Sequence, residues 1–390
     1  MQPTVLTNAR LVLPDAVVAT GSLVIDEGRI VDLDERPSHV PGATDVDHAW
    51  VMPGFIDLHS DALELEVQPR PNCLLPLQVA LHEFERKLLT CGVTTMYHAL
   101  SLAASHDQRL RGMAMVGTVM DGIAGYQATG RCLVTHAVHL RFELSSVDAV
   151  GFTRDAVSEG RVQLLSFTDH TPGQGQFHDL EHYRRYLMEH RNMSEVEAER
   201  FLKEVQERPK VSPETLQHLA DLAFDAGVPL ASHDDDSVER LQWLRSWRGA
   251  ICEFPVSLEV AAAAEAIGVS VVVGAPNLLN GGSTGGNLSA VEAIDAGVAD
   301  VLVSDYYPAS LLHAVFQLHR RGMPMDRAAA KVTRNPARAA GIDREVGALE
   351  IGKRADLLVV RDDQQMPSLE SVMTSGRWVH HVLPSLVGRW

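Results

Sequence analysis

The feature of this sequence that most constrains its fold is a regular alternation of short apolar runs with helical patterns through the middle of the chain. Because near-continuous apolar strands that alternate with helices form parallel sheets covered on both faces, the alternation predicts an α/β fold. Helical patterns fill most of the gaps, as in Pro76–Thr90 and Pro213–Ala226. Eight runs are candidate strands: Val51–Asp61, Gly92–Leu100, His136–Leu144, Val162–His170, Pro229–Asp235, Ile251–Pro255, Val269–Asn277 and Asp300–Pro308.

Eight strand–helix repeats over about 250 residues are typical of a TIM (β/α)8 barrel. The competing fold is a doubly wound open sheet, which would usually carry a glycine-rich phosphate turn after its first strand. No such turn follows Val51–Asp61. We therefore predict a (β/α)8 barrel over residues 51–345.

The two ends of the chain have a different sequence pattern from the middle. Short β-prone runs separated by turn signals fill residues 1–50, and the same pattern returns over residues 346–390. Since chain termini often lie close together, we predict one small β-sandwich-like domain built from both ends.

One charged stretch, Asp179–Lys210, does not fit the regular alternation. A capping box at Ser194–Glu197 and a start signal at Ser212-Pro213 indicate helices there and directly after it. Charged helical faces are usually solvated, so we expect a surface decoration in preference to a lid over the active site.

Charge and composition exclude several classes of partner. The 51 acidic and 34 basic residues give a formal charge of −17, which argues against a nucleic-acid partner because phosphate neutralisation needs a basic face. No apolar run reaches the roughly 18 residues of a membrane span, and no signal peptide is recognisable. The four cysteines form no C-x-x-C pair. We expect a cytoplasmic protein without a membrane partner.

The candidate chemistry lies where the apolar strands end. His59 and Asp61 are two residues apart in a predicted strand and so point to the same side, where an imidazole and a carboxylate can share a metal ion. Further ionisable residues close four other strands: Glu143, His170, His233 and Asp305. As a set these residues predict a site for one or two divalent metals, with zinc, iron or manganese favoured over magnesium. Taken singly, such residues could instead cap helices, and Glu143 or His170 could lie behind the ligands.

A metal-activated water in such a site would attack an electrophile, and Asp305 is placed to accept its proton and later protonate the leaving group. If two metals are bound, Glu143 is the candidate bridging carboxylate.

Two loops have the composition of anion sites. Pro276–Asn287 is rich in glycine and exposes backbone N–H groups after the seventh strand, where barrels often bind phosphate. A flexible connection explains its composition equally well. The segment Gln68–Pro71 contains Arg70 between two prolines; its alternative interpretation is a surface arginine in a turn.

Several stretches together resemble a known family. They are V-M-P-G-F-I-D-L-H-x-D at 51–61, H-L-R-x-E-L at 139–144, G-A-P-N at 274–277 and S-D-Y-Y-P-A-S at 304–310. With the β-domain from both termini, they resemble the amidohydrolase superfamily, and within it the branch of phosphonate-metabolism diphosphatases. The resemblance implies hydrolysis of α-D-ribose 1-methylphosphonate 5-triphosphate to the 5-phosphate and pyrophosphate, in the carbon–phosphorus lyase pathway.

The resemblance also implies roles for particular residues and a small phosphorylated sugar as the partner. The metal and catalytic set would be His59, Asp61, Glu143, His170, His233 and Asp305. The residues near the substrate's phosphates would be Arg70, Arg141, Asn277, Gly281, Gly282 and Ser283. The exposed faces of the β-domain and the helices are compatible with a homo-oligomer.

Two other functions stay open at this point. The general architecture also suits a hydrolase of cyclic amides or N-acyl amino acids, which is the commoner chemistry of the superfamily. A non-catalytic scaffold is the third hypothesis, and the complete set of ligand-type residues at strand ends argues against it.

Overall fold

The computed structural model describes residues 3–102, 110–175, 180–191, 193–283, 286–363 and 366–382. Its centre is an eight-stranded sheet in which each strand pairs in parallel with the next strand of the series. The last strand returns beside the first, where Ser60 and Asp305 form a parallel bridge. The strands are β6 (Phe55–Ser60), β7 (Val93–Leu102), β8 (Thr135–Glu143), β9 (Leu164–Thr168), β10 (Leu230–His233), β11 (Ile251–Glu253), β12 (Ser270–Gly274) and β13 (Val301–Val303). The sheet is thus a nearly closed barrel, which confirms the predicted fold class.

Helices cover the outside of the barrel. Their apolar faces pack on the outward-facing strand residues in one large core, in which Phe84, Phe142 and Phe316 are fully buried. The helices are α1 (Ala62–Val67), α2 (Leu77–Thr90), α3 (Met113–Ala128), α4 (Val150–Ser158), α5 (Leu180–Arg191), α6 (Glu195–Gln206), α7 (Pro213–Asp225), α8 (Val238–Ser246), α9 (Leu258–Ala266), α10 (Ala275–Asn280), α11 (Ala290–Asp295), α12 (Ser310–Arg320), α13 (Met325–Ala330) and α14 (Arg334–Ala339). A 3-10 turn, Val147–Ala149, precedes α4. No helix in the described part of the chain is long and apolar enough to cross a membrane.

The barrel interior is a packed core below the carboxyl ends of the strands. Because side chains alternate between the two faces of a strand, each strand sends residues inward. One buried cluster takes a residue from every barrel strand: Ile56, Tyr97, Ala137, Leu164, Ala231, Ile251, Val272 and Val301. Apolar side chains fill this inner layer, and the polar residues at the carboxyl ends of the strands lie above it, at the open end of the barrel.

A second sheet is built from the two ends of the chain. It contains β1 (Thr4–Val12), β2 (Val17–Asp26), β3 (Arg29–Asp34), β4 (Thr44–Asp45), β5 (Trp50–Pro53), β14 (Leu357–Asp362), β15 (Pro367–Thr374) and β16 (Arg377–His381). The main strand order is β16-β15-β14-β5-β1-β2-β3, and β4 pairs with β1. Its own apolar core includes Leu6, Leu23, Ile25, Leu357 and Met373. The predicted union of both termini is confirmed; residues 383–390 lie outside the described residues.

The predicted strand Val51–Asp61 is in fact two strands that separate at Gly54. The first, β5, pairs with β1 and β14 in the terminal sheet, whereas β6 opens the barrel. The terminal sheet therefore extends beyond residue 50, and we propose Gly54 as the boundary between the two units. A Cβ atom at Gly54 would overlap the buried side chain of Thr94, so the close approach of Thr94 to the backbone at this point requires glycine.

Replacing Gly54 tests this junction. We expect Gly54→Ala to lower the free energy of unfolding by about 1–3 kcal/mol, because the added methyl group overpacks a site that cannot expand. Urea unfolding monitored by circular dichroism measures the change. Gly151→Ala is the matched control, because Gly151 lies in α4 and an added methyl group there would meet only open space. Equal stability of the two variants would contradict the junction's dependence on glycine.

Candidate active site

A cavity of 920 Å³ opens at the carboxyl ends of the barrel strands. The strands are parallel, so residues that follow their carboxyl ends converge there even when they are far apart in sequence. Nine of the residues predicted for the site line it: His59, Asp61, Arg141, His170, His233, Asn277, Gly282, Ser283 and Asp305. The sequence analysis predicted that ionisable residues at the ends of the apolar strands lie close together. Most of those residues do line this cavity.

The first ligand-type cluster joins the first and last barrel strands. His59, Asp61 and Asp305 each offer a donor atom within 4.8 Å of the others. The backbone fixes this arrangement, because Asp305 N–H donates to the His59 carbonyl at 3.0 Å and Asp61 N–H donates to the Asp305 carbonyl at 2.7 Å. The side chain of Ser60 also donates to the Asp305 carbonyl, at 2.8 Å.

The two carboxylates of this cluster differ in acidity. Burial and the nearby negative charge of Asp61 raise the pKa of Asp305 to about 6. Burial acts most strongly and would raise the pKa of Asp61, but the neighbouring Arg141, Arg111 and histidines together outweigh it and hold that pKa below its usual range. When two neighbouring carboxylates have different pKa values, they suit different roles. The one with the lower pKa stays ionised, and the one with the higher pKa can exchange a proton near neutral pH.

The second cluster consists of His170, His233 and Asp234, whose donor atoms also lie within 4.8 Å of one another. Asp234 Oδ2 is 3.0 Å from His233 Nδ1 and 3.5 Å from His170 Nε2. Burial alone would lower the pKa of His170, but the carboxylates of Glu143 and Asp234 raise it to about 9. Asp234 lies in the loop directly after β10 and lines the cavity.

Glu143 lies behind this cluster and does not line the cavity. Its Oε2 is 2.6 Å from His170 Nδ1 and accepts from the Thr168 hydroxyl at 3.1 Å, while its Oε1 accepts the His170 N–H at 3.0 Å. A carboxylate on the far nitrogen of a histidine fixes the ring and its tautomer. This geometry gives Glu143 a positioning contact to His170, and among the described residues Glu143 belongs to none of the ligand-type clusters.

A third cluster is one that the sequence pattern did not predict. His59, His139 and Glu253 are fully buried and offer donor atoms within 4.8 Å of one another. Glu253 Oε1 is 3.2 Å from His59 Nδ1, and Glu253 Oε2 is 3.5 Å from His139 Nε2. Burial lowers the pKa of both histidines to about 3. Because Glu253 contacts Nδ1 of His59, the other ring nitrogen, Nε2, is the one that can share a metal ion with Asp61 and Asp305.

Sequence signals for these two residues existed. Glu253 lies two residues before the end of the predicted strand Ile251–Pro255 and is the last residue of β11, so a search for ionisable residues near every strand end would have found it. His139 lies in mid-strand, two residues before Arg141, and the period of two places both on the inner face. His139 Nδ1 donates to the Leu58 carbonyl at 3.0 Å, which fixes its tautomer.

The donor set fits a divalent metal. Among the described residues, two atoms of the second cluster, Asp234 Oδ2 and His233 Nδ1, are buried and make no well-aligned hydrogen bond. An unsatisfied buried polar group costs about 1–3 kcal/mol, and more when it is charged. Imidazole nitrogens and carboxylate oxygens are ligands of zinc, iron and manganese, so a cation held among these atoms would offset that cost.

The cavity also presents guanidinium groups. Arg141 is buried; its Nη1 is 3.4 Å from Asp61 Oδ1 and its Nη2 is 3.1 Å from His233 Nε2. Arg111, which no sequence motif singled out, makes a two-pronged contact to Glu64 and approaches Asp61 at 3.6 Å. Both arginines therefore lie next to the first cluster of ligand-type residues (the three such clusters are called the metal-type clusters). Planar guanidinium groups at this position can bind phosphate oxygens.

The predicted anion loops are placed differently from one another. Gly282 and Ser283 line the cavity, whereas Gly281 ends α10 with a φ of 76° and does not. The Asn277 amide reaches the cavity wall but is engaged by the loop itself, accepting from Ala290 N–H at 3.0 Å and donating to the Leu288 carbonyl at 3.3 Å. Residues 284–285 lie outside the described residues. Arg70 is exposed in a turn closed on Cys73 and does not line the cavity.

The charged helical stretch is more than a solvated decoration. Its capping box at Ser194 is present as predicted, and so is the cap at Ser212. However, Arg185 and Glu189 of α5 line the cavity, so this stretch contributes to the wall of the site.

Comparison with known proteins agrees with this architecture. Residues 50–382 match the amidohydrolase family. The chain is 32% identical over 379 residues to the alpha-D-ribose 1-methylphosphonate 5-triphosphate diphosphatase of Escherichia coli (strain K12), an alignment that covers 96% of this chain and 100% of that protein.

Two solved structures show the same fold at low identity. An N-acetylglucosamine-6-phosphate deacetylase from Pasteurella multocida is 14% identical, with a TM-score of 0.65 and coverage of 97% of this chain and 99% of that chain. A Xaa-Pro dipeptidase with bound methionine is 14% identical, with a TM-score of 0.68 and coverage of 98% and 100%. The family match spans most of the sequence and the diphosphatase aligns over its full length, so the chain belongs to the amidohydrolase family.

Proposed function

We propose that this protein is a metal-dependent diphosphatase that hydrolyses α-D-ribose 1-methylphosphonate 5-triphosphate to the 5-phosphate and pyrophosphate. The observation that carries the proposal is the position of Arg141, whose guanidinium lies between Asp61 and His233, inside the metal-type clusters. A fixed cation there suits a reaction in which a phosphoryl group is attacked. The alignment with the Escherichia coli diphosphatase over the whole of both chains supports the same substrate class.

The ligands follow from the clusters. His59, Asp61 and Asp305 would hold one divalent ion, and His170, His233 and Asp234 would hold a second. Zinc, iron or manganese suits this mixture of imidazole and carboxylate. When bound, such an ion supplies Lewis acidity and generates a nucleophile from water near neutral pH. Glu143 and Glu253 would orient His170 and His59 from behind.

The residues of the chain would accept the proton of the attacking water and bind the phosphate oxygens. Water attacks the α-phosphorus, the bond from that phosphorus to the bridging oxygen of the anhydride breaks, and pyrophosphate leaves. Asp305 accepts the proton of the attacking water, for which a pKa raised toward neutrality is suited. Arg141 and Arg111 donate to the oxygens on which charge accumulates, and Gly282 and Ser283 border the substrate's path.

The proposed role of Asp305 is tested by substitution. We expect the metal-reconstituted protein to release pyrophosphate from α-D-ribose 1-methylphosphonate 5-triphosphate, and Asp305→Asn to be at least about 100-fold slower, the usual contribution of a proton-transfer group. Phosphorus NMR follows the product. Asp300→Asn is the matched control, because Asp300 precedes the same strand at its opposite end.

Two results would contradict the proposed reaction. If the metal-loaded protein turns over no phosphoanhydride, the substrate assignment is wrong, and hydrolysis of cyclic amides or N-acyl amino acids is the next activity to assay. If Asp305→Asn keeps full activity, Asp305 is not the proton acceptor.

The positioning role of Glu253 is tested by metal binding. We expect Glu253→Gln to weaken metal affinity about 10- to 100-fold, because the carboxamide holds His59 Nδ1 less strongly than a carboxylate does. Competition with a chelating indicator measures this affinity independently of turnover. Glu259→Gln, an exposed position on α9, is the control and should leave it unchanged. Unaltered metal affinity in Glu253→Gln would refute the assignment.

A further inference from the structure

The helical hairpin formed by α5 and α6 carries its own small apolar core. Tyr183, Leu187 and Ala198 are buried against one another, and Phe201 and Leu202 pack on them. The hairpin is tied to the barrel where the Gln206 amide donates to the Pro172 carbonyl at 3.1 Å. This packing fixes which face of α5 turns away from α6.

Arg185 and Glu189 lie on that other face. Tyr183 and Leu187 are four residues apart and share one side of α5, and a residue two positions from each lies about 200° around the helix axis. Arg185 occupies that position, and Glu189 follows one turn later. Both line the active-site cavity, although neither belongs to a barrel strand.

Arg185 differs from the other arginines of the cavity in its ion pairing. The charge of Arg141 faces Asp61, and that of Arg111 faces Glu64 and Asp61. The adjacent Arg184 is held at 2.7 Å by Glu181 and by Glu195. Among the described residues, no carboxylate lies within ion-pair distance of Arg185.

A guanidinium without a carboxylate partner in a cavity wall is available to an anionic ligand. On its own helix, Arg184 is adjacent and is paired with Glu181. Glu189, one turn away, also lines the cavity, offsets the charge of Arg185 in part and would repel a polyanion. From the barrel side, the lining presents Arg111 and Arg141 near the metal-type cluster, with their charges already matched. Among the arginines of the lining that the structure describes, Arg185 is thus the one that a ligand phosphate can engage without breaking an existing ion pair.

We propose that Arg185 forms a phosphoryl-binding subsite, separate from the bond that is cleaved, which selects substrates with a second anionic group. The proposal rests on the proposed function, whose substrate carries two such groups: the terminal phosphate of the triphosphate and the methylphosphonate. Their shared chemistry is a tetrahedral phosphorus oxyanion that a guanidinium binds with two parallel hydrogen bonds.

The test is direct binding to the full-length, metal-reconstituted protein by calorimetry, with equal metal in cell and syringe. The probes are inorganic tripolyphosphate, which represents the triphosphate end, and α-D-ribose 1-methylphosphonate 5-phosphate, which keeps the phosphonate. We expect Arg185→Gln to weaken the Kd of one probe about tenfold, as for loss of a charge-assisted hydrogen bond. Arg185→Lys should recover part of the affinity.

Arg200→Gln is the matched control, because Arg200 is an exposed arginine of the same hairpin that does not line the cavity. It should change either Kd less than twofold. Loss confined to tripolyphosphate places the subsite at the triphosphate end, and loss confined to the phosphonate probe places it at the other end. Unchanged binding in Arg185→Gln, or an equal loss in Arg200→Gln, overturns the proposal.

This design separates the two claims. Binding is read without turnover, so an Arg185-dependent Kd in a protein that releases no pyrophosphate supports the subsite and refutes the proposed reaction. Conversely, pyrophosphate release with the same binding constants in the wild type and Arg185→Gln supports the reaction and refutes the subsite.

Discussion

The closure of the barrel between its first and last strands is the constraint on which the candidate site depends. Two backbone hydrogen bonds join His59 and Asp61 to Asp305 at this seam. Below them the Asp57 carboxylate accepts the N–H groups of His59 and Ser304, at 3.3 and 3.1 Å. Residues about 245 positions apart in the chain are thereby held in one register. A metal-type cluster assembled from both ends of the barrel would otherwise depend on side-chain packing alone.

The electrostatics of the site are local and do not follow the net charge of the chain. The protein carries −17 overall, yet its cavity combines carboxylates, imidazoles and guanidinium groups at ion-pair distance. Arg141, Arg111 and the nearby histidines together hold the pKa of Asp61 below its usual range, and His233 and His170 hold the pKa of Asp234 far below its own, in both cases against the effect of burial. Buried charges persist only when they are paired or bind ions. The substrate that we propose, a polyanionic phosphate, would meet these positive groups within the site and not the acidic surface.

Most of the fold followed from the sequence because strand period and turn chemistry are local. The eight barrel strands and the two terminal sheet segments were visible as apolar runs bounded by glycine, proline and aspartate. The division of the first run at Gly54 was not visible, because it depends on contact with Thr94 from a neighbouring strand. Glu253 could have been found by a search for ionisable residues near every strand end.

The cations of the site were harder to predict than its ligands. Barrel topology carries every strand end to one place, so His59, His233 and Asp305 could be grouped without any knowledge of packing. Arg111 and Arg185 lie outside the strands, and their direction depends on how a loop or a helix docks. Arg70 is the converse case, because it was predicted to lie near the substrate and does not line the cavity. The two prolines around it predict a stiff loop but not the direction in which the arginine points.

This difference has a consequence for how such a protein can change its substrate. The metal-type clusters are built into strand ends that the barrel core holds in place, so the positions of their residues are tied to the barrel. The hairpin has a separate core and meets the cavity through side chains on one helix face. Substitutions at Arg185 or Glu189 leave the packing of Tyr183 and Leu187 intact, because those residues lie on the other side of α5. Recognition of distant substrate groups can therefore vary while the chemistry at the strand ends stays the same, which is the division of labour expected when loops and helices decorate a rigid barrel.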